Sequence, residues 1–159
     1  EAFERFQERS DGEPLLLVAG DGPLRKDVET YIRENDLENV VCLGYVDESV
    51  KPNLYTAADY FLLSSSYDPG GPLTIFEALS SGLPVIAPEF PHCEFLKTEN
   101  CGTTVPFDDT ETAVKYIDEY VASSDRLSHA DNAREYAVEN LGWNQRAAEY
   151  SQLFEKILS

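Results

Sequence analysis

The sequence predicts an α/β fold with a doubly wound parallel sheet and helices on both faces. Three observations carry this. Apolar runs closed by glycine or turn residues recur at 14–20, 40–44, 59–65, 84–88 and 102–107. Runs of that kind suit strands buried on both faces. Between them lie stretches with apolar residues at helical spacing, and strand and helix alternate four times, which implies right-handed crossovers. A length of 159 residues with 42% apolar content fits a single domain spanning 1–159.

The elements follow in order. "EAFERFQERS" reads as the interior of a helix. "PLLLVAG" is a continuous apolar run and the first strand. "LRKDVETYIREN" places Leu24, Val28, Tyr31 and Ile32 on one helical stripe. "VVCLG" is the second strand, and "SVKPNLYTAA" a short helix with Pro52 early, where proline is tolerated. "DYFLLSS" is the third strand. A helix from Leu73 to Ser81 is closed by Gly82 as its C′ residue. "PVIAP", the short helix "CEFLKTE" and the strand "GTTVPF" follow. Three helices end the chain, with stripes at Ala113, Tyr116, Ile117, Tyr120 and Val121, at Leu127, Ala130, Arg134 and Ala137, and at Trp143, Ala147, Tyr150, Phe154 and Ile157. Structural aromatics explain most of the nine tyrosines, and no cofactor box stands among them.

Charge narrows the function. Thirty acids face 12 bases, a net charge of −18, spread along the chain. Nucleic-acid binding needs basic patches, and adsorption to anionic lipid needs the same. Neither class fits. With only five lysines, the acidic surface suits a high-salt cytoplasm, where self-repulsion is screened. An ordinary acidic cytoplasmic protein is the plainer reading. No apolar run reaches the roughly 18 residues of a membrane span. The chain opens on Glu1 inside a helix-like run and is expected to be a piece of a longer protein. Cys42, Cys93 and Cys101 have neither disulfide nor zinc spacing, and Cys42 reads as a small buried hydrophobe. His92 and His129 read as isolated surface or loop residues.

Two stretches are candidate sites. "AGDGPLRKD" follows the first strand and opens a helix, at the carboxyl end of a strand where open α/β sheets bind ligands. Gly20 and Gly22 match the start of a dinucleotide fingerprint. Arg25 stands in place of its third glycine, and no acid ends the next strand, so a nicotinamide site is not expected. On this motif alone a tight strand-to-helix turn is sufficient. The second stretch is "SSSYDPGGPLTIFEALSSGLPVIAP", residues 64–88. Pro72 suits the first helical position. The amides of Leu73, Thr74 and Ile75 then point out of the helix end, and Gly70 and Gly71 let an anion approach the backbone.

Glu77 completes this candidate. Ile75, Ala78, Leu79 and Gly82 share the face that must be buried. Glu77 points nearly opposite, beside Leu73 and Thr74, and long helical side chains lean toward the N-terminus. A carboxylate near a bound phosphate repels it, so Glu77 calls for hydroxyl donors there. A ribose diol attached to a diphosphate supplies them. From one glutamate alone a solvated surface residue would be sufficient. Glycines, proline, helix start and strand end together favour the ligand.

These residues resemble the carboxyl-terminal domain of family 4 retaining glycosyltransferases, which have the two-domain GT-B fold. The resemblance runs over nearly the whole chain: "LLLVAGDGPLRKDVETYIRENDLENVVCLGYVD", "YTAADYFLLSS", "FEALSSGLPVIAP", Glu94 ahead of "CGTTVPFDD", and "LGWNQRAAEYSQLFEKI". It implies a Rossmann-like domain that binds a nucleoside-diphosphate sugar. Glu77 matches the second glutamate of an E-x7-E motif, which holds the ribose hydroxyls. The amides of Leu73 and Thr74 match those that meet the diphosphate and sugar. Val46 and Lys51 lie where the family packs around the nucleobase. The family's first glutamate contacts the transferred sugar's hydroxyls. Here the acid is Asp68, one position farther away, giving D-x8-E.

The resemblance further implies a hexosyltransferase whose acceptor-binding N-terminal domain, first donor-domain strand and diphosphate-neutralising cations precede this chain. The expected partners are the nucleotide-sugar donor and that N-terminal domain. No metal or other cofactor is expected, and the chain by itself is expected to be inactive. Two alternatives stay open: another GT-B enzyme, such as a sugar-nucleotide epimerase, and a non-catalytic module that has drifted.

Overall fold

The computed structural model describes residues 1–10, 12–65, 73–123 and 125–158. In chain order its elements are α1 (Ala2–Arg9), β1 (Leu16–Ala19), α2 (Arg25–Glu34), β2 (Val40–Gly44), α3 (Lys51–Ala57), β3 (Phe61–Leu62), α4 (Leu73–Ser80) and β4 (Val85–Pro88). A 3₁₀ turn (Pro91–Cys93) precedes α5 (Phe95–Thr98), β5 (Gly102–Val105), α6 (Thr110–Val121), α7 (Arg126–Asn140) and α8 (Trp143–Leu158). All pairings between the described strands are parallel. Parallel sheets flanked by helices are the α/β class that the sequence predicts. Hydrogen bonding divides the strands into a β1–β2 pair and a β3–β4–β5 sheet.

The chain forms two compact units. One comprises Glu1–Leu54 with Pro106–Ala122, the other Tyr55–Val105 with Ser123–Ser159. In the first, β1 and β2 pair from Leu16↔Val40 to Val18↔Cys42, and the register shifts before Ala19↔Gly44. Helix α1 lies along α6: Arg5 and Arg9 both pair with Glu111, and Arg9 also reaches Asp118 at 3.7 Å. The Tyr31 hydroxyl of α2 donates to Glu4 of α1 at 3.0 Å. Leu15, Leu17, Val41 and Leu43, which alternate along the two strands, are exposed. Cys42 is half-buried, less enclosed than the apolar run suggests.

The second unit holds the main apolar cluster. Strand β4 lies between β3 and β5, and all four of its residues are buried. That is the reason "PVIAP" carries no polar side chain. Ile75, Ala78 and Leu79 of α4, Leu96 of α5 and Ala133 and Ala137 of α7 join the same apolar cluster. Gly102 begins β5 opposite Val85, where a Cβ would stand 2.2 Å from the Val85 carbonyl oxygen. Only a residue without a side chain lets the two backbones come this close. Ladder bonding of β3 continues past its two residues, since the Leu63 N–H donates to the Ile86 carbonyl at 2.9 Å.

Helix α7 corrects two expectations. Its buried stripe is His129, Ala133 and Ala137, and Leu127 is 70% exposed. The small alanines let α7 lie close against α4, which a leucine stripe would hold apart. His129 is buried and not a surface residue: its Nε2 lies 3.0 Å from the Asn100 side-chain oxygen. A partner of this kind is what makes burial of an imidazole tolerable. Helix α8 carries the expected stripe in the open: none of its residues is buried, and Trp143 is 88% exposed. Among the described residues no helix is long and apolar enough to cross a membrane.

Candidate functional site

Helix α4 runs over Leu73–Ser80, and Pro72, expected at its first position, lies outside the described residues. Leu73 and Thr74 are the first two residues of α4, and amides in the first turn of a helix lack intrahelical acceptors. The far end is fixed. The Leu83 N–H donates to the Ala78 carbonyl at 3.0 Å and the Gly82 N–H to that of Leu79 at 2.9 Å. Gly82 has φ +70°. These two bonds and the left-handed glycine form a Schellman cap. Arg134 of α7 also donates to the Ser80 carbonyl. Asp68, Gly70 and Gly71 lie outside the described residues.

Glu77 stands where the helical spacing puts it. Ile75, Ala78 and Leu79 are buried, whereas Glu77 is half-buried and stacks above Leu73 and Thr74 at four and three residues' separation. Its Oε2 accepts a 2.9 Å hydrogen bond from the Tyr55 hydroxyl. The Tyr55 ring meets Phe61 edge-on, with centroids 5.8 Å apart and planes at 70°. Sequence reasoning did not single out Tyr55. The helical period places Glu77 on its own helix but says nothing of a partner on another element 22 residues earlier. Glu94 is exposed, between the 3₁₀ turn and α5.

Gly20, Gly22, Val46 and Lys51 belong to the other unit, in the segments that follow β1 and β2. Gly20 has φ +136°, and its N–H donates to the Gly44 carbonyl at 2.8 Å. Gly22 donates to the Asp21 carboxylate, also at 2.8 Å. Open space surrounds both glycines where a side chain would project. The Arg25 guanidinium lies over Gly44, so close that a Cβ there would be 2.6 Å from Nη1. Thus the arginine that occupies the expected glycine position brings a cation to the strand ends. It is held by Glu29 at 2.8 Å and Asp21 at 3.3 Å, which raise its pKa, Glu29 most. Asp47 sets the loop between Val46 and Lys51. It accepts from the Ser49 amide at 2.9 Å and hydroxyl at 2.6 Å, which lower its carboxyl pKa. Lys51 begins α3 and pairs with Glu48.

The cysteines take no part in this arrangement. Cys93 and Cys101 are fully buried, and burial pushes the Cys101 thiol up to about 12. Among the described residues no group of three His, Cys, Asp or Glu could hold a metal ion.

Known proteins resemble this chain. The family model described as "Glycosyl transferases group 1" matches residues 1–140. Alpha-monoglucosyldiacylglycerol synthase of Streptococcus pneumoniae is 27% identical over 136 residues, covering 85% of this chain and 31% of that protein. Mannosylfructose-phosphate synthase of Agrobacterium fabrum is 45% identical over 95 residues, 54% of this chain and 20% of that protein. Among solved structures, sucrose-phosphate synthase from Thermosynechococcus elongatus superposes with a TM-score of 0.79 at 25% identity, covering 99% of this chain and 41% of that one. HepE of Anabaena, solved with UDP and glucose, shares the fold at a TM-score of 0.76 and 20% identity, over 95% of this chain and 44% of that one. The chain therefore spans less than half the length of these relatives, and its parallel sheets and helices match those of GT-B glycosyltransferases. It belongs to the group 1 glycosyl transferases.

Proposed function

We propose that this chain is the donor-binding domain of a retaining glycosyltransferase that moves a hexose from a nucleoside-diphosphate sugar. The observation that carries the reading is the placing of Glu77: half-buried, one turn behind the leading amides of α4, with its carboxylate held by Tyr55. In this reading the Leu73 and Thr74 amides take the diphosphate and sugar, with Gly70 and Gly71 ahead of them allowing close approach. Glu77 takes the ribose hydroxyls and Asp68 the hydroxyls of the transferred sugar. Two similar proteins fit a hexose donor: alpha-monoglucosyldiacylglycerol synthase, and HepE, solved with UDP and glucose.

The chemistry follows from those roles. Departure of the nucleoside diphosphate leaves charge on the β-phosphate, and oriented amides at a helix end stabilise it without reorganising. Hydrogen bonds to charged groups contribute about 1.5–3 kcal/mol each. In this reading the cations that complete this stabilisation precede the 159 residues, and the acceptor site belongs to a separate N-terminal domain. The exposed apolar face of β1–β2 and the exposed stripe of α8 support a larger whole. Holding donor and acceptor in register sets the face of attack. No metal is required, so EDTA leaves turnover unchanged.

The test uses the full-length protein with UDP-, GDP- and ADP-linked hexoses. Glu77→Ala is expected to raise the donor KM at least about tenfold, the loss of one charge-assisted contact. An unchanged KM with the preferred donor contradicts the reading. The 159-residue chain alone is expected to give no multiple-turnover transfer.

A further inference from the structure

We infer that Tyr55 is a positioning residue of the donor site, aiming the Glu77 carboxylate at the ribose before the donor arrives. This rests on the reading of Glu77 above and goes beyond it, since it names the group that sets the carboxylate's direction.

The geometry supports a fixed donor, not a chance contact. The Tyr55 hydroxyl is 2.9 Å from Glu77 Oε2. Its ring stands edge-on against Phe61 and packs on the apolar cluster of the second unit. Phe61 is itself anchored, because its N–H donates to the Pro84 carbonyl at 2.9 Å, at the start of the buried β4 segment. On the other side, α4 is seated by buried Ile75, Ala78 and Leu79 and closed by its Schellman cap. Both ends of the hydrogen bond therefore rest on rigid structure, which is what a precise binding group needs.

The chemistry requires such an arrangement. A glutamate has several rotatable bonds, and a half-buried one samples many carboxylate directions unless something holds it. An ionised carboxylate only accepts hydrogen bonds, and its two oxygens can serve a tyrosine hydroxyl and a sugar diol together. A donor that fixes the carboxylate beforehand removes an ordering cost from ligand binding. Tyr55 supplies that donor without adding a charge beside a diphosphate.

A merely structural link between α3 and α4 has a different signature. It changes affinity for every ligand alike, whereas a positioning role acts only where ribose hydroxyls are present. The experiment measures equilibrium Kd on the full-length protein for UDP, GDP and ADP, and for the 2′,3′-dideoxy form of whichever binds tightest. Wild type, Tyr55→Phe and Glu77→Ala are compared, with unfolding midpoints alongside. Phenylalanine keeps the ring against Phe61 and removes only the hydroxyl. The preference of wild type for the ribose form is expected to disappear in Glu77→Ala. In Tyr55→Phe it is expected to fall about tenfold, while the dideoxy Kd stays at the wild-type value.

If Glu77→Ala abolishes the preference and Tyr55→Phe keeps it whole, the role of Tyr55 is overturned and that of Glu77 stands. Equal weakening of ribose and dideoxy forms by Tyr55→Phe makes Tyr55 structural and also overturns it. Should Glu77→Ala retain the preference, or none of the three diphosphates bind, the ribose reading itself fails and this inference fails with it.

Discussion

Gly102 carries a constraint that composition hides. It has an ordinary backbone conformation, yet a Cβ there would strike the Val85 carbonyl oxygen at 2.2 Å. Gly102→Ala must push β5 away from β4 through the most buried strand of the chain. Overpacking of this kind costs about 1–3 kcal/mol or more, measurable as a lowered denaturation midpoint. Thr104, two residues on, is the opposite case. Its hydroxyl is fully buried and has no hydrogen-bond partner among the described residues. An unsatisfied buried hydroxyl is a liability, so Thr104→Val is expected to stabilise the protein by about 1 kcal/mol. A lowered midpoint for Thr104→Val would mean that the hydroxyl finds a partner in the whole protein. Neither feature is legible in "GTTVPF", because close approach and burial arise only once β5 lies against β4.

At the scale of elements, α4 was the most readable part of the chain. Its buried face, its closing glycine and the outward place of Glu77 all follow from helical period and end chemistry, which are local. The Gly82 cap has a simple consequence: an L residue at φ +70° is strained, so Gly82→Ala should cost about 1 kcal/mol by chemical denaturation. Helix α7 was less readable. Its stripe includes a histidine, and its apolar residues are mostly alanines, so period alone could not separate the packed face from the exposed one. The hydroxyl of Tyr55 was invisible for a related reason, since a contact between α3 and α4 depends on packing and not on spacing. The α1–α6 contact predicts a pH effect. Hydrogen bonds from Arg9 first, then Arg5, hold the Glu111 carboxyl below its usual pKa. Its contribution is complete above the unfolded value, about 4.3, and is lost as pH falls through the lowered folded value. Glu111→Gln should therefore lower stability at neutral pH and flatten the acid side of the stability curve. An acid side as steep as wild type would assign it to other carboxylates.

For the whole molecule, charge and family are the two statements that matter. The parallel α/β class and the group 1 glycosyl transferase assignment were legible because a long motif string shares one register along most of the chain. The division into two units was not, since the return of residues 106–122 to the N-terminal unit depends on packing of α6 against α1, which leaves no local trace. A net charge of −18 makes self-repulsion a global term. Raising salt from about 0.1 M to 1 M shortens the screening length from about 10 Å to 3 Å. The unfolding midpoint in KCl should rise over that range, and a falling midpoint would argue against adaptation to high salt. The central claim is that the chain holds a nucleoside diphosphate through its ribose and diphosphate. It is tested most directly by thermal unfolding of the full-length protein with UDP, GDP and ADP. At about 100 times Kd a ligand adds roughly 2.7 kcal/mol to the native state, so one of the three should raise the midpoint by several degrees. No shift with any of them at millimolar concentration would contradict the account.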